Sequence, residues 1–213
     1  MNLETISRQD KISSKEFAYL IGVYLTDASI TDTNFCLQVI DKEFAERTLE
    51  YLKIFFPKTK AYIRTRDNLR WNGKKQYVIS VGINKYALFF KKITSNKHRI
   101  PLQILNAEPH IQKWFVAGVM DGDGWISKAK RKNSPQFQYR IGIGEVEDGW
   151  IHDFRELLNK LGVTCLKMER FLTKNGVPFC RFNVKPISFF KSGLFFTIKR
   201  KAERCFIAST TAR

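Results

Sequence analysis

A chain of 213 residues holds one large domain or two small ones, and 44% hydrophobic residues suffice for a packed core. Lys and Arg outnumber Asp and Glu by 37 to 20, a net charge of +17 that points to a polyanionic partner, most often nucleic acid, rather than to solubility alone. The four cysteines show no CxxC or metal-ligand spacing and read as reduced thiols of an intracellular protein; no apolar run approaches the ~20 residues of a membrane span, and the N-terminus reads as neither signal nor transit peptide.

Residues 1–12 are polar and read as a short arm. Ser13-Ser-Lys-Glu16 reads as a capping box and predicts a helix to about Thr26. Residues 28–34 suit a short strand and turn. Phe35, Leu37 and Val39 then alternate with Cys36, Gln38 and Ile40, the pattern of a half-buried strand. Asp41 opens a second helix carried by Phe44, Leu49, Leu52, Ile54 and Phe55 and stopped by Pro57. Residues 61–66 and 76–81 read as strands around a basic loop, and a third helix follows from about Asn84. Residues 1–96 thus read αββαββα. Residues 97–109 hold Pro101, Pro109 and an apolar patch but no Gly or Ser, which predicts an ordered linker.

Residues 110–213 repeat the order. Pro109 suits the first position of a helix that runs to Asp123. Strands at 125–130 and 136–143 flank a lysine-rich loop, and a helix at 147–161 ends at Gly162. Strands at 163–171 and 178–184 flank a turn at 173–176. Pro186 opens another helix and Lys199–Ala208 forms a last one.

The repeat is sharpest at Phe17-Ala-Tyr-Leu-Ile-Gly-Val-Tyr-Leu-Thr-Asp-Ala28 and Trp114-Phe-Val-Ala-Gly-Val-Met-Asp-Gly-Asp-Gly-Trp125. Aligning Gly22 with Gly118 brings Asp27 onto Asp123. Gly22 and Thr26, like Gly118 and Gly122, lie four apart on one helical face, where small side chains let two helices approach closely. Helices packed along these faces bring Asp27 and Asp123 together at their C-terminal tips. A carboxylate there opposes the helix dipole, and a second one nearby raises a pKa. A hard divalent cation such as Mg²⁺, which takes oxygen ligands, removes the conflict. Asp41 and Glu145 likewise end the second strand of each half, and Lys85 and Lys185 fall between last strand and third helix. The three pairs are offset by 96, 104 and 100 residues, a drift that fits loop lengths in an internal pseudo-dimer.

These segments resemble the motif of the LAGLIDADG homing endonucleases, and the chain is similar to single-chain members with two motifs. Residues 116–124 match closely; in residues 20–28, Leu25 replaces the motif's first acid and Ala28 its last glycine, while the eighth-position acid persists in both as Asp27 and Asp123. The resemblance spans nearly all of residues 13–198. It implies an α+β fold: two curved antiparallel sheets forming a saddle over double-stranded DNA, helices behind them, and the motif helices at the interface. It implies Mg²⁺-dependent hydrolysis of both strands by a monomer. Asp27 and Asp123 would bind metal with the peptide oxygens of Thr26 and Gly122. Lys85 and Lys185 would be the basic residues near each site, and Asp41 and Glu145 polar residues that order solvent. Base contacts would come from outward strand positions: Asn34, Gln38, Tyr62, Arg64, Arg66, Gln76 and Ser80, then Arg131, Gln136, Gln138, Arg140, Lys167, Arg181 and Asn183. Lys128 and Lys130 would hold phosphates. Two alternatives share the scaffold: an RNA maturase that binds intron RNA, and a non-cleaving DNA-binding protein. The retained acids favour the enzyme, and the short tail after residue 199 leaves no room for an appended helix-turn-helix.

Overall fold

The computed structural model describes residues 13–67, 73–130, 137–146 and 149–211, save the side chains of Lys85, Ala129 and Phe137. The first half runs α1 (Lys15–Leu25), β1 (Ser29–Ile30), β2 (Asn34–Val39), α2 (Lys42–Phe55), β3 (Ile63–Asp67), β4 (Lys75–Gly82) and α3 (Lys85–Ile93). A single helical turn, α4 (Leu102–Leu105), sits in the connecting segment. The second half runs α5 (Pro109–Gly122), β5 (Trp125–Lys130), β6 (Phe137–Val146), α6 (Gly149–Lys160), β7 (Glu169–Leu172), β8 (Pro178–Val184) and α7 (Pro186–Lys191), followed by α8 (Lys199–Thr211). The expected αββαββα order appears twice. No helix among the described residues is long and apolar enough to cross a membrane.

Each half holds one four-stranded antiparallel sheet, ordered β1-β2-β4-β3 and β5-β6-β8-β7. Alternation gives each sheet two unlike faces. On the first, Phe35, Leu37, Ile79 and Val81 are buried, while Asn34, Cys36, Gln38 and Ser80 point the other way. On the second, Ile141, Ile143, Phe182 and Val184 are buried opposite Arg140, Arg181 and Asn183. The helices cover the apolar faces. Helix α2 presents Phe44, Thr48, Tyr51, Leu52 and Phe55 inward, a stripe at helical spacing. Its start is fixed by Asp41, whose Oδ1 accepts from Phe44 N at 3.2 Å. Phe17 of α1 meets Phe55 and Phe90 with ring centroids 5.6 and 5.7 Å apart.

Three local readings shift. The N-cap of α1 is Ser14, whose hydroxyl accepts from Phe17 N at 3.2 Å; the cap falls one residue after the predicted Ser13. Strand β3 starts at Ile63, so Tyr62 precedes it. Strand β7 is shorter than residues 163–171. Cys165 pairs with Val184 and Leu166 N bonds Asn183 O at 2.8 Å, but Glu169 pairs with Arg181, one residue out of that register. The extra residue interrupts the ladder as a bulge does.

Candidate functional site at the helix seam

The halves meet along α1 and α5, and the meeting is a backbone contact. A Cβ on Gly22 would lie 2.6 Å from Phe115 O and 2.7 Å from Val119 N; one on Gly118 would lie 2.3 Å from Tyr19 O. Every residue of α1 from Phe17 to Leu25 is buried. The helix is apolar all round because it packs on α2 and α3 of its own half on one side and on α5 on the other. At the far end of the seam, a Cβ on Gly122 would meet Thr26 Oγ1 at 2.3 Å and Asp27 Oδ2 at 2.9 Å. The Asp27 carboxylate therefore lies against the second half's motif helix, one residue before Asp123.

Asp123 is the C-cap residue of α5, its N–H bonded to Val119 O. Its carboxyl is raised from the ordinary 3.8 to about 8 by burial, then by the charge of Asp27, then by the charge and hydrogen bond of Glu145; Lys97 opposes the rise. Asp27 keeps a solvent-open side, yet protein crowds the rest of it, and this partial desolvation raises its carboxyl against the pull of Lys201 and Lys97. Three carboxylates thus share one region with incomplete compensation.

Two lysines supply that compensation. Lys97 Nζ donates to Thr26 O at 3.1 Å. Lys201 Nζ donates to Met120 O, Asp121 O, Gly122 O and Gly124 O at 2.9, 2.6, 3.2 and 2.7 Å. Each lysine neutralises the C-terminal end of one motif helix, at the peptide oxygen just before the acid. Burial lowers the pKa of Lys97, and that of Lys201 to about 8. Lys201 acts chiefly on the Asp27 side; Lys97 feels Glu145 and Asp123 most. A cavity of about 300 Å³ opens beside Asp27, lined among others by Gln38, Asp41, Gly122, Arg200 and Lys201.

The sequence-level assignments sort accordingly. Asp27, Asp123, Glu145, Thr26 and Gly122 are brought together. Lys185 is not with them: it is exposed at the start of α7, while the cations acting on the acids are Lys97, on both, and Lys201, on Asp27. The Lys85 side chain lies outside the described atoms. Asp41 lines the cavity but spends its carboxylate on the α2 cap and on Arg200, at 2.8 Å from Nε. Nor is it the counterpart of Glu145. Ile30, Phe35 and Val81 stand in one row as Ile126, Ile141 and Val184 do, which matches Glu145 to Val39.

Among the described residues, no three or more His, Cys, Asp or Glu side chains stand ready to hold a metal ion. The available donors are nevertheless hard oxygens: two carboxylates at helix C-termini, a third beside them, and two peptide oxygens that already attract ammonium groups. That chemistry fits a hard divalent cation.

Outward strand positions carry the expected polar surface. Asn34, Gln38, Ser80, Arg64 and Arg66 share one face of the first sheet, as does Gln76, which is buried. Gln38 Nε2 donates to Gln76 Oε1 at 2.6 Å. Tyr62 accepts from Arg64, whose guanidinium stacks 4.8 Å from the ring. In the second half Gln138, Arg140, Arg181 and Asn183 share a face, and Arg181 Nε pairs with Glu169 at 2.7 Å. Lys167 is exposed before β7. Lys128 and Lys130 are strand residues on the face of Tyr139 and Ile141, opposite Arg140, rather than loop residues. Arg131 and Gln136 lie outside the described residues.

No protein-family model matches the sequence, and no curated protein matches it. Solved structures do. The chain is similar to mesophilic variants of the homing endonuclease I-DmoI, with a TM-score of 0.59 and 14% identity over 85% of this chain and 94% of that one. It is similar to the homing endonuclease I-WcaI bound to its DNA recognition sequence, at 0.56 and 16% over 89% and 86%. It is also similar to full-length DUF199/WhiA from Thermatoga maritima, at 0.55 and 12% over 94% of this chain but 62% of that one. At such identities the likeness is one of fold.

Proposed function

We propose that this chain, whose fold is that of the LAGLIDADG homing endonucleases, is a site-specific endonuclease that hydrolyses both strands of duplex DNA with a divalent cation, Mg²⁺ by preference. One observation carries the reading. Asp27 and Asp123 occupy matched places at the ends of two helices in backbone contact, and a lysine, half-buried Lys97 or buried Lys201, bonds the peptide oxygen just before each acid. Crowding of this kind has no structural use, because carboxylates held close together at helix C-termini destabilise the fold.

Asp27 with Gly122 O, and Asp123 with Thr26 O and Glu145, would hold the cation, which when bound polarises a phosphate and makes water more acidic. Lys97 and Lys201 place an ammonium beside each acid, where negative charge grows on the phosphate during attack. Lys201, with its pKa lowered to about 8, can also hold or release a proton at Nζ near neutral pH. The polar sheet faces read bases, and the net charge of +17 holds the backbone of the duplex. The chain acts as a monomer inside the cell, since both halves of the site are on one polypeptide. Retention of both aspartates favours cleavage over a maturase or a purely binding role. Selecting cut sequences from a randomised duplex library with Mg²⁺ tests this directly. Recovery of one long, defined site supports it; binding without cutting in Mg²⁺ or Mn²⁺ points to the non-cleaving alternative.

A further inference from the structure

Residues 197–201, which lead into α8, are pinned at four places. Thr197 N lies 3.2 Å from both carboxylate oxygens of buried Asp121, and Thr197 Oγ1 donates to Oδ2 at 2.5 Å. Tyr19 OH, from the first half, donates to the same Oδ2 at 3.0 Å. Lys199 N donates to Glu43 Oε1 at 2.8 Å, and Arg200 bonds Asp41 Oδ2 through Nε and Nη2 at 2.8 and 2.5 Å. Lys201 then reaches the four peptide oxygens at the end of α5. Asp41 and Glu43 belong to the first half, so this strap crosses the seam.

The strap answers a problem in α8 itself. The helix begins Lys199-Arg-Lys201, three cations at the positive end of its dipole, with no acid in its first turn. Glu43 caps its first N–H and Asp41 neutralises Arg200, so the missing acids come from the opposite half. Lys97 is delivered by another device: Ser95, Asn96 and Lys97 hold φ of 47°, 55° and 75°, a left-handed turn just after α3. The two lysines are therefore held by unlike supports, and only one support spans the seam.

We propose that Asp41 and Glu43 anchor a strap that positions Lys201 for the Asp27 side of the site, so that the Asp41–Arg200 pair sets the cutting rate of one strand and not the other. This rests on the nuclease reading above. Asp41 is a positioning residue that acts through Lys201. Asp41→Asn keeps an amide oxygen to cap α2 and removes only the charge.

The test uses the full chain and a duplex recovered by selection with the wild-type protein, its strands carrying different fluorophores, in Mg²⁺. Asp41→Asn and Arg200→Gln should each slow one strand at least about fivefold relative to the other, roughly the worth of one well-formed ion pair. Nicked duplex should accumulate. The strand left whole should be the one left whole by Lys201→Met and opposite to that left by Lys97→Met, which serves as reference if Lys201→Met does not fold. Arg200→Lys should restore most of the balance. Equal slowing of both strands, or of neither, overturns the proposal. If the wild-type protein cuts no duplex, the nuclease reading fails, and the strap is judged by a thermal-unfolding double-mutant cycle of Asp41→Asn with Arg200→Gln. Non-additive losses support the strap and additive ones overturn it.

Discussion

Gly118→Ala probes the seam without touching a charged group. The new Cβ would lie 2.3 Å from Tyr19 O and 3.0 Å from Tyr19 C, both backbone atoms of α1. Neither can rotate away, so the helices must separate by about 1 Å to reach ordinary contact. Overpacking of this kind typically costs about 1–3 kcal/mol, more where backbone is the obstacle. Alanine's better helix propensity offsets about 1 kcal/mol. A net loss of about 2 kcal/mol lowers the melting temperature by about 4–8 °C for a chain of this size. Circular dichroism on heating reads the loss. Gly122→Ala is the informative partner, because its Cβ would meet side-chain atoms, Thr26 Oγ1, Thr26 Cβ and Asp27 Oδ2, of which the hydroxyl and the carboxylate can swing aside. That variant should melt closer to wild type yet lose cutting, since the Asp27 carboxylate is displaced along with the Thr26 hydroxyl. A Gly118→Ala protein that melts at or above the wild-type temperature would refute the close approach of α1 and α5.

The remaining predictions concern charge. An acid whose pKa is raised on folding binds more protons folded than unfolded, so stability falls as pH rises between the two values. For Asp123 that window runs from 3.8 to about 8. In chelator, the wild-type protein should melt lower at pH 8 than at pH 5, and Asp123→Asn should shrink that difference; an unchanged difference would contradict the crowding of the three carboxylates. Duplex binding should weaken steeply with salt, as expected when many phosphate counterions are released, and a flat dependence in gel-shift titrations would exclude phosphate contact as the main source of affinity. Arg64→Ala should relax base preference at one part of the selected site, because an outward arginine reads bases rather than merely adding charge; a uniform loss across sequences would assign it to phosphate.

The motif helices were legible because two signals coincided: a fully apolar run, and small residues four apart on one face. Their packing left Asp27 and Asp123 nowhere to go but together. The lysines were not legible. Lys97 sits where the chain read as a linker, and Lys201 in a helix that read as an appendage, 70 residues after Asp27 and 78 after Asp123. Only tertiary structure carries them back to the seam. The lone clue was that the two lie 104 residues apart, the same offset as that separating Asp41 from Glu145. That last pairing misled, because one strand residue does not fix register: Glu145 faces Asp123 while its row partner in the first half is Val39. Asp41 was drawn instead to Arg200, a contact across 159 residues that no local pattern could announce. The short β7 has a similar cause, since a bulge depends on the partner strand as much as on the sequence that bears it.

Cleavage and binding measured side by side for Asp27→Asn and Asp123→Asn decide the matter most directly. With the selected duplex and Mg²⁺, neither variant should complete a double-strand break, while both hold the duplex about as tightly as the wild-type chain. Full cutting by either variant would remove its carboxylate from the chemistry and leave the crowded acids at the seam without a purpose.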